Sequence, residues 1–191
     1  MQNSRPSDSL LYNLGTKTFF RACDVAEFGV DSRRLRRMVD AGSVERVARG
    51  LYRLADAELT ERYTLAAVSA RVPGAIVCLL SAMTVYELGT QLPLDFWISI
   101  PHKARAPRVP ELPVRVIRFS GTSLRYGVKR TDFDGVPAYI TSPARTVVDC
   151  FRFRRIVGKD VAFEALRDAL SERRASVAEI WRAAEACRAK S

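Results

Sequence analysis

The chain is poor in the residues that most site chemistry needs. It holds one histidine, His102, and four cysteines, Cys23, Cys78, Cys150 and Cys187, with no CxxC pair among them. Zinc sites and disulfide frameworks need Cys and His clustered at short spacings, so neither is expected, and the thiols read as small core residues. The longest unbroken apolar run, residues 75–80, is six residues, far short of the roughly 20 that a membrane-crossing helix needs. The opening MQNSRPSDSLLYNLG has neither the basic start nor the apolar stretch of a secretory signal. A soluble, cytoplasmic protein with no membrane partner is therefore expected. The phosphate-cradling and hydrolase signatures GxGxxG, GxxxxGK[ST], GxSxG and HExxH are all missing.

What remains is apolar residues and arginine. The 191 residues are 48% apolar, enough to fill one mid-sized core or two small ones. Lysine plus arginine number 31 against 21 carboxylates, a formal charge of +10 that points to a polyanionic partner such as nucleic acid. Only five of the basic residues are lysine, a bias towards the planar fork that suits phosphate and base edges. The charge is patchy. Residues 1–55 carry +4, 56–100 carry −3, 101–130 carry +7 and 151–191 carry +4.

The first basic patch has a compact local logic. Residues 8–15 can form a short helix, Thr18-Phe19-Phe20 has the character of a strand, and residues 21–28 read as a brief helix stopped by Gly29. Asp31 is a good N-cap for a second helix over residues 32–41, with Gly42 as its stop. On that helix Leu35, Met38 and Val39 form one apolar stripe, which leaves Arg33, Arg36 and Arg37 on the opposite side and Arg34 on the flank. Four cations in the first two turns oppose the helix dipole and repel one another, a penalty that a polyanionic ligand would remove. Residues 44–47 and 51–54 then read as two strands around Ala48-Arg49-Gly50. Helix, tight turn, helix and hairpin is the winged-helix order, in which the second helix enters the major groove.

The second part reads as mixed α and β. After a polar hinge at residues 56–58, a helix is expected over residues 60–72, then a buried strand at 75–78 and a helix from about Ser81 to Gly89. Residues 95–100 and 113–119 are the clearest strands. Arg115 and Arg118 within the second of these suggest a sheet with one exposed basic face. Between the two strands lies the basic loop PHKARAPRVP, with Lys103, Arg105 and Arg108. Residues 139–141 read as another strand, and Ser142-Pro143 as the cap and first residue of a helix holding Val147, Val148 and Phe151. Helices over residues 160–172 and 177–188 complete the chain. The fold class expected is α+β, with a winged helix-turn-helix over residues 1–56 and a mixed α/β domain over 57–191.

No catalytic constellation stands out. His102 sits in the basic loop, where a solvated side chain is the simplest account. Asp132 and Asp134 are the nearest thing to a metal-binding pair, but TDFDG also reads as a turn between strands. Asp149 lies four residues after Arg145 on one helix, so an intrahelical ion pair accounts for both. No catalytic residue, metal or cofactor is therefore expected.

Two blocks together resemble a known family. VDSRRLRRMVDAGSVERVARGLYRL looks like the winged-helix module of AbiEi-type antitoxins, and TSPARTVVDCFRFRRIVGKDVAFEALRDAL is similar to the C-terminal domain of the same family. The resemblance implies a non-enzymatic antitoxin of a type IV toxin–antitoxin (abortive infection) system. It implies a functional partner, an AbiEii-type nucleotidyltransferase toxin, countered without need of a stable complex, and repression of its own operon at inverted repeats. Carried onto this chain, it assigns DNA contacts to Ser32, Arg33, Arg34, Arg36 and Arg37 on the helix and to Arg46 and Arg49 in the wing. The antitoxin motif falls on Arg145, Thr146, Asp149, Phe151, Arg152 and Arg154, where packing of the helix would also require Asp149 and Phe151. Two other readings stay open: a stand-alone winged-helix regulator whose second part senses a ligand or oligomerises, and a nuclease using Asp132 and Asp134. The segment 101–130 either extends the DNA footprint through Lys103, Arg105 and Arg108 or faces RNA or the toxin.

Overall fold

The computed structural model describes residues 19–26, 28–48, 50–56, 62–109 and 112–188. The helix expected at residues 8–15 and the hairpin residue Arg49 lie outside them. The chain is mixed α and β and divides into two compact units, Met1–Arg71 with Asp132–Pro137, and Val72–Thr131 with Ala138–Ser191.

In the first unit, β1 (Phe19–Arg21) leads into α1 (Ala22–Ala26), α2 (Ser32–Asp40), β2 (Val44–Ala48), β3 (Leu51–Leu54) and α3 (Tyr63–Arg71). The strands form an antiparallel sheet in the order β1-β3-β2. The helix boundaries follow from local hydrogen bonding. An Asp31 carboxylate oxygen accepts the Arg34 backbone N–H at 2.7 Å, the N-cap bond the sequence predicts. At the other end Gly42 takes φ +72°, its N–H reaches Val39 O at 3.0 Å, and the Ser43 N–H reaches Met38 O at 3.0 Å. This is the Schellman arrangement, and its left-handed residue is one that a Cβ would strain. Phe20, Val25, Val30, Leu35, Met38, Val44 and Leu54 form one buried cluster, so α1 and α2 pack on one face of the sheet. On the other face Arg53 pairs with Glu45 at 2.7 Å and lies 5.5 Å from the Tyr63 ring, which stacks on Phe19. Those contacts tie α3 to the first unit, so the division by packing falls at Arg71 rather than at residue 56.

The second unit contains β4 (Ile76–Val77), α4 (Leu79–Val85), β5 (Phe96–Pro101), β6 (Val114–Phe119), a 3-10 turn (Gly121–Leu124), α5 (Pro143–Arg152), α6 (Arg154–Val157), α7 (Lys159–Ser171) and α8 (Val177–Arg188). It shares with the first the hairpin of β7 (Val128–Phe133) and β8 (Val136–Thr141). The five strands run β6-β5-β4-β8-β7; β4 pairs antiparallel with β5 and parallel with β8, and β5 pairs parallel with β6. Trp97, Ile117 and Phe119 from the sheet, Met83 from α4, and Val147 and Cys150 from α5 share one core with Ala162, Ala165 and Ala169 of α7. The alanines recur at i, i+3 and i+7, and their small size lets α7 pack closely there.

Two expectations change here. The turn expected at TDFDG is present, but Asp132 itself belongs to strand β7, which the sequence does not announce. Its carboxylate accepts the Gly135 N–H at 2.7 Å, closing the turn at Asp134 and Gly135. β6 has no single basic face either. Arg115 and Arg118 are an odd number of residues apart, so a pleated strand sends them to opposite sides. Arg115 stacks 4.6 Å from the Trp97 ring, and Arg118 donates to the carbonyls of His102 and Ala104 at 2.7 Å each.

Candidate nucleic-acid interface

On α2 the burial splits as the helical period requires. Leu35 and Met38 are buried, while Ser32, Arg33, Arg34, Arg36 and Arg37 are all exposed. Among the described residues no hydrogen bond or ion pair engages the side chains of these four arginines. The first turn of α2 has no acidic residue. Four guanidinium groups thus stand in solvent near a helix N-terminus, where the dipole disfavours them. Arg46 follows Val44 on the face of β2 that packs against α2, further towards the hairpin, and is exposed. A register shift between Arg46 and Ala48 bulges the strand just beyond it.

The basic residues of segment 101–130 belong to several different elements. Lys103, Arg105 and Arg108 are exposed on a loop whose start is pinned by the two Arg118 hydrogen bonds and by the His102 N–H to Phe119 O at 2.9 Å. Arg125, Lys129 and Arg130 belong to the turn before β7 and to β7 itself. His102 is exposed, and among the described residues only its backbone is engaged. Among the described residues no group of three or more His, Cys, Asp or Glu could hold a metal ion.

The motif on α5 is assembled inward. Arg145 is fully buried; its Nε donates to Asp149 at 2.8 Å, and its two terminal nitrogens donate to Tyr126 O at 2.6 Å and Ser123 O at 2.7 Å. Its guanidinium lies 4.8 Å from the Phe119 ring. Asp149, also fully buried, receives a second arginine, Arg152, at 3.3 Å. Burial pushes the Asp149 carboxyl up from its ordinary value, and the two guanidinium groups pull against that rise. The ion pair expected at i, i+4 is therefore present as the centre of a network, and its burial is what the sequence did not disclose. Thr146 is buried as well, its hydroxyl 2.8 Å from that of Thr141 and 2.9 Å from Ser142 O. Phe151 is half-buried and meets the Phe163 ring edge-on at 5.3 Å. Arg152 and Arg154 reach the surface, Arg154 donating to Phe151 O at 2.9 Å. Cys150, whose thiol is pushed up to about 12 by burial, and Cys78, raised the same way, are protonated core groups rather than nucleophiles.

A helix pair whose second helix bears unpaired arginines, followed by a hairpin, is the arrangement that DNA-reading regulators use. Residues 10–55 match the family described as transcriptional regulator, AbiEi antitoxin. That span holds β1, α1, α2, β2 and β3 and is well under half of the chain. The family is one of regulators. No curated protein matches the chain. Among the described residues no helix is long and apolar enough to cross a membrane.

Proposed function

We propose that the protein is a cytoplasmic DNA-binding antitoxin that represses its own operon and counters a nucleotidyltransferase toxin. In this reading the first unit is a winged helix-turn-helix. Helix α2 enters the major groove with Arg33, Arg34, Arg36 and Arg37, Ser32 meets a phosphate, and Arg46 and Arg49 flank it from the hairpin. The observation that carries it is the arginine face of α2, unpaired among the described residues and opposite the buried Leu35 and Met38, inside the segment that matches the antitoxin family. Inverted repeats in the operator would let two copies bind with matching symmetry.

The functional partner in this reading is an AbiEii-type toxin, and the second unit acts against it. Of the motif on α5, Arg152, Arg154 and the edge of Phe151 are what the surface offers, since Arg145, Thr146 and Asp149 are enclosed. The test has two arms. Titrating labelled operator DNA should show tight, salt-sensitive binding that weakens sharply in the double variant Arg36→Ala, Arg37→Ala; unaltered binding would remove α2 from the interface. Co-expression with an AbiEii-type nucleotidyltransferase toxin should rescue growth. DNA binding without rescue would leave a stand-alone regulator instead.

A further inference from the structure

The second unit contains a basic cleft that operator binding by α2 does not use. It encloses about 360 Å³ beside the start of α5 and is lined by Tyr126, Lys129, Ser142, Arg174, Glu179 and Arg182 together with small residues. Three cations face one carboxylate, and they come from three separate stretches of chain: β7, the connection before α8, and α8. The Lys129 side chain makes no hydrogen bond or ion pair among the described residues. Among the described residues Arg182 uses its Nε alone, towards Ala178 O at 3.2 Å, and neither terminal nitrogen is engaged. Arg174 is held in place by Glu87 at 2.8 Å and Glu172 at 3.4 Å. The Ser142 oxygen accepts the Arg145 N–H, which leaves its hydroxyl proton to donate. Glu179 is committed to capping α8, accepting both the backbone N–H and the hydroxyl of Ser176 at 2.8 Å.

The wall of this cleft is rigid, and the buried arginine is the reason. Arg145 holds Tyr126 O, the Ser142 N–H holds Gly127 O at 2.7 Å, and a Cβ on Gly127 would lie 2.9 Å from the Arg145 Cβ. Gly127 adopts φ +64°, so the turn at the rim depends on glycine twice over. Cationic donors around a concave site suit a phosphoryl group, since charge-assisted hydrogen bonds to its oxygens are the strong ones. The volume sits at the low end of small-ligand sites and suits one nucleotide rather than a duplex.

We propose that this cleft binds a mononucleotide, with its phosphoryl group at Lys129 and Arg182 and its base beside the Tyr126 ring. The proposal does not depend on the reading of α2. Calorimetric titration of the full chain tests it with four probes: inorganic phosphate, a nucleoside, its 5′-monophosphate, and a short single-stranded RNA. The monophosphate should bind saturably, one per chain, and the nucleoside should not. The double variant Lys129→Ala, Arg182→Ala should lose about tenfold or more in affinity with its melting temperature unchanged, because both side chains are exposed. Lys103→Ala should bind as the parent does. The proposal is overturned if no nucleotide binds at millimolar concentrations, if the double variant binds normally, or if the nucleoside binds as well as the monophosphate. It is equally overturned if inorganic phosphate matches the monophosphate, which would leave a bare anion site, or if the RNA binds far more tightly through the same residues, which would make this a strand groove.

Discussion

Helix α2 carries four arginines in its first two turns and helix α5 one, and the protein uses them in opposite ways. On α2 four guanidinium groups stand in solvent with no carboxylate partner among the described residues, while the apolar side of the same helix is buried. On α5 Arg145 is enclosed, with Nε on Asp149 and its terminal nitrogens on two backbone carbonyls. A buried guanidinium is tolerable only when its donors are met and its charge balanced, and each guanidinium nitrogen of Arg145 has an acceptor. An exposed array of like charge needs no such closure, and it stays available for a polyanion. Arginine content alone therefore says little. What distinguishes an interface from a structural pin is whether the chain itself supplies the acceptors.

Breaking the pin should have the largest effect. Replacing Arg145 with Met strands Asp149 without its main partner in the core and should cost about 3–5 kcal/mol, read from chemical denaturation. Adding Asp149→Leu to that variant should restore much of that stability, since no uncompensated charge then remains buried. If the double variant is as unstable as the single one, the network matters through its hydrogen bonds to the Ser123 and Tyr126 carbonyls rather than through charge. On the other side of the comparison, Arg36→Ala with Arg37→Ala should leave stability within about 0.5 kcal/mol, as expected of exposed sites. The same change should weaken operator binding by roughly 1–3 kcal/mol for each base that goes unread. A drop in folding stability instead would place these side chains among the structural arginines.

Smaller effects sharpen the boundary. Asp31→Ala removes the N-cap of α2 and should lower stability by about 1 kcal/mol; DNA binding should survive wherever the protein is folded. Substituting Lys103, Arg105 and Arg108 together tests whether the loop after β5 shares the footprint. Each phosphate left without its cation should flatten the dependence of log affinity on log salt by about 0.9, and an unchanged slope would exclude the loop. The smallest effect concerns α8. Hydrogen bonds from Ser176 hold the Glu179 carboxyl below its usual range. A carboxyl depressed in the folded state favours folding above its unfolded value and loses that contribution as pH falls through the folded one. Acid titration of helicity should therefore show α8 fraying earlier in Ser176→Ala than in the parent.

Much of the first unit was legible because its signals are local. Asp31, Gly42 and the stripe of Leu35, Met38 and Val39 act within a few residues, and α2 forms between the expected caps. Ser142 with Pro143 marks the start of α5 in the same way. Strand β7 was not legible. VKRTDF lacks the alternating apolar face that announces a half-buried strand, and β7 lies at the sheet edge, where basic side chains discourage further pairing. The exposed arginine face of α2 could be read from helical periodicity, whereas the cleft at Lys129 and Arg182 could not, because its residues are scattered over distant stretches.

The amino-acid sequence by itself determined the helix caps, the exposed arginine face of α2 and the mixed α and β class, since hydrogen bonds within four residues and the 3.6-residue period depend only on neighbours in the chain. Tertiary structure alone decided that Arg145 is a buried pin, that Arg115 and Arg118 serve a ring and a loop, that α3 packs with the first unit, and that three cations meet in one cleft. The physical reason is desolvation: whether a charge is solvated, satisfied or poised for a ligand depends on which distant elements close over it, and no local pattern records that.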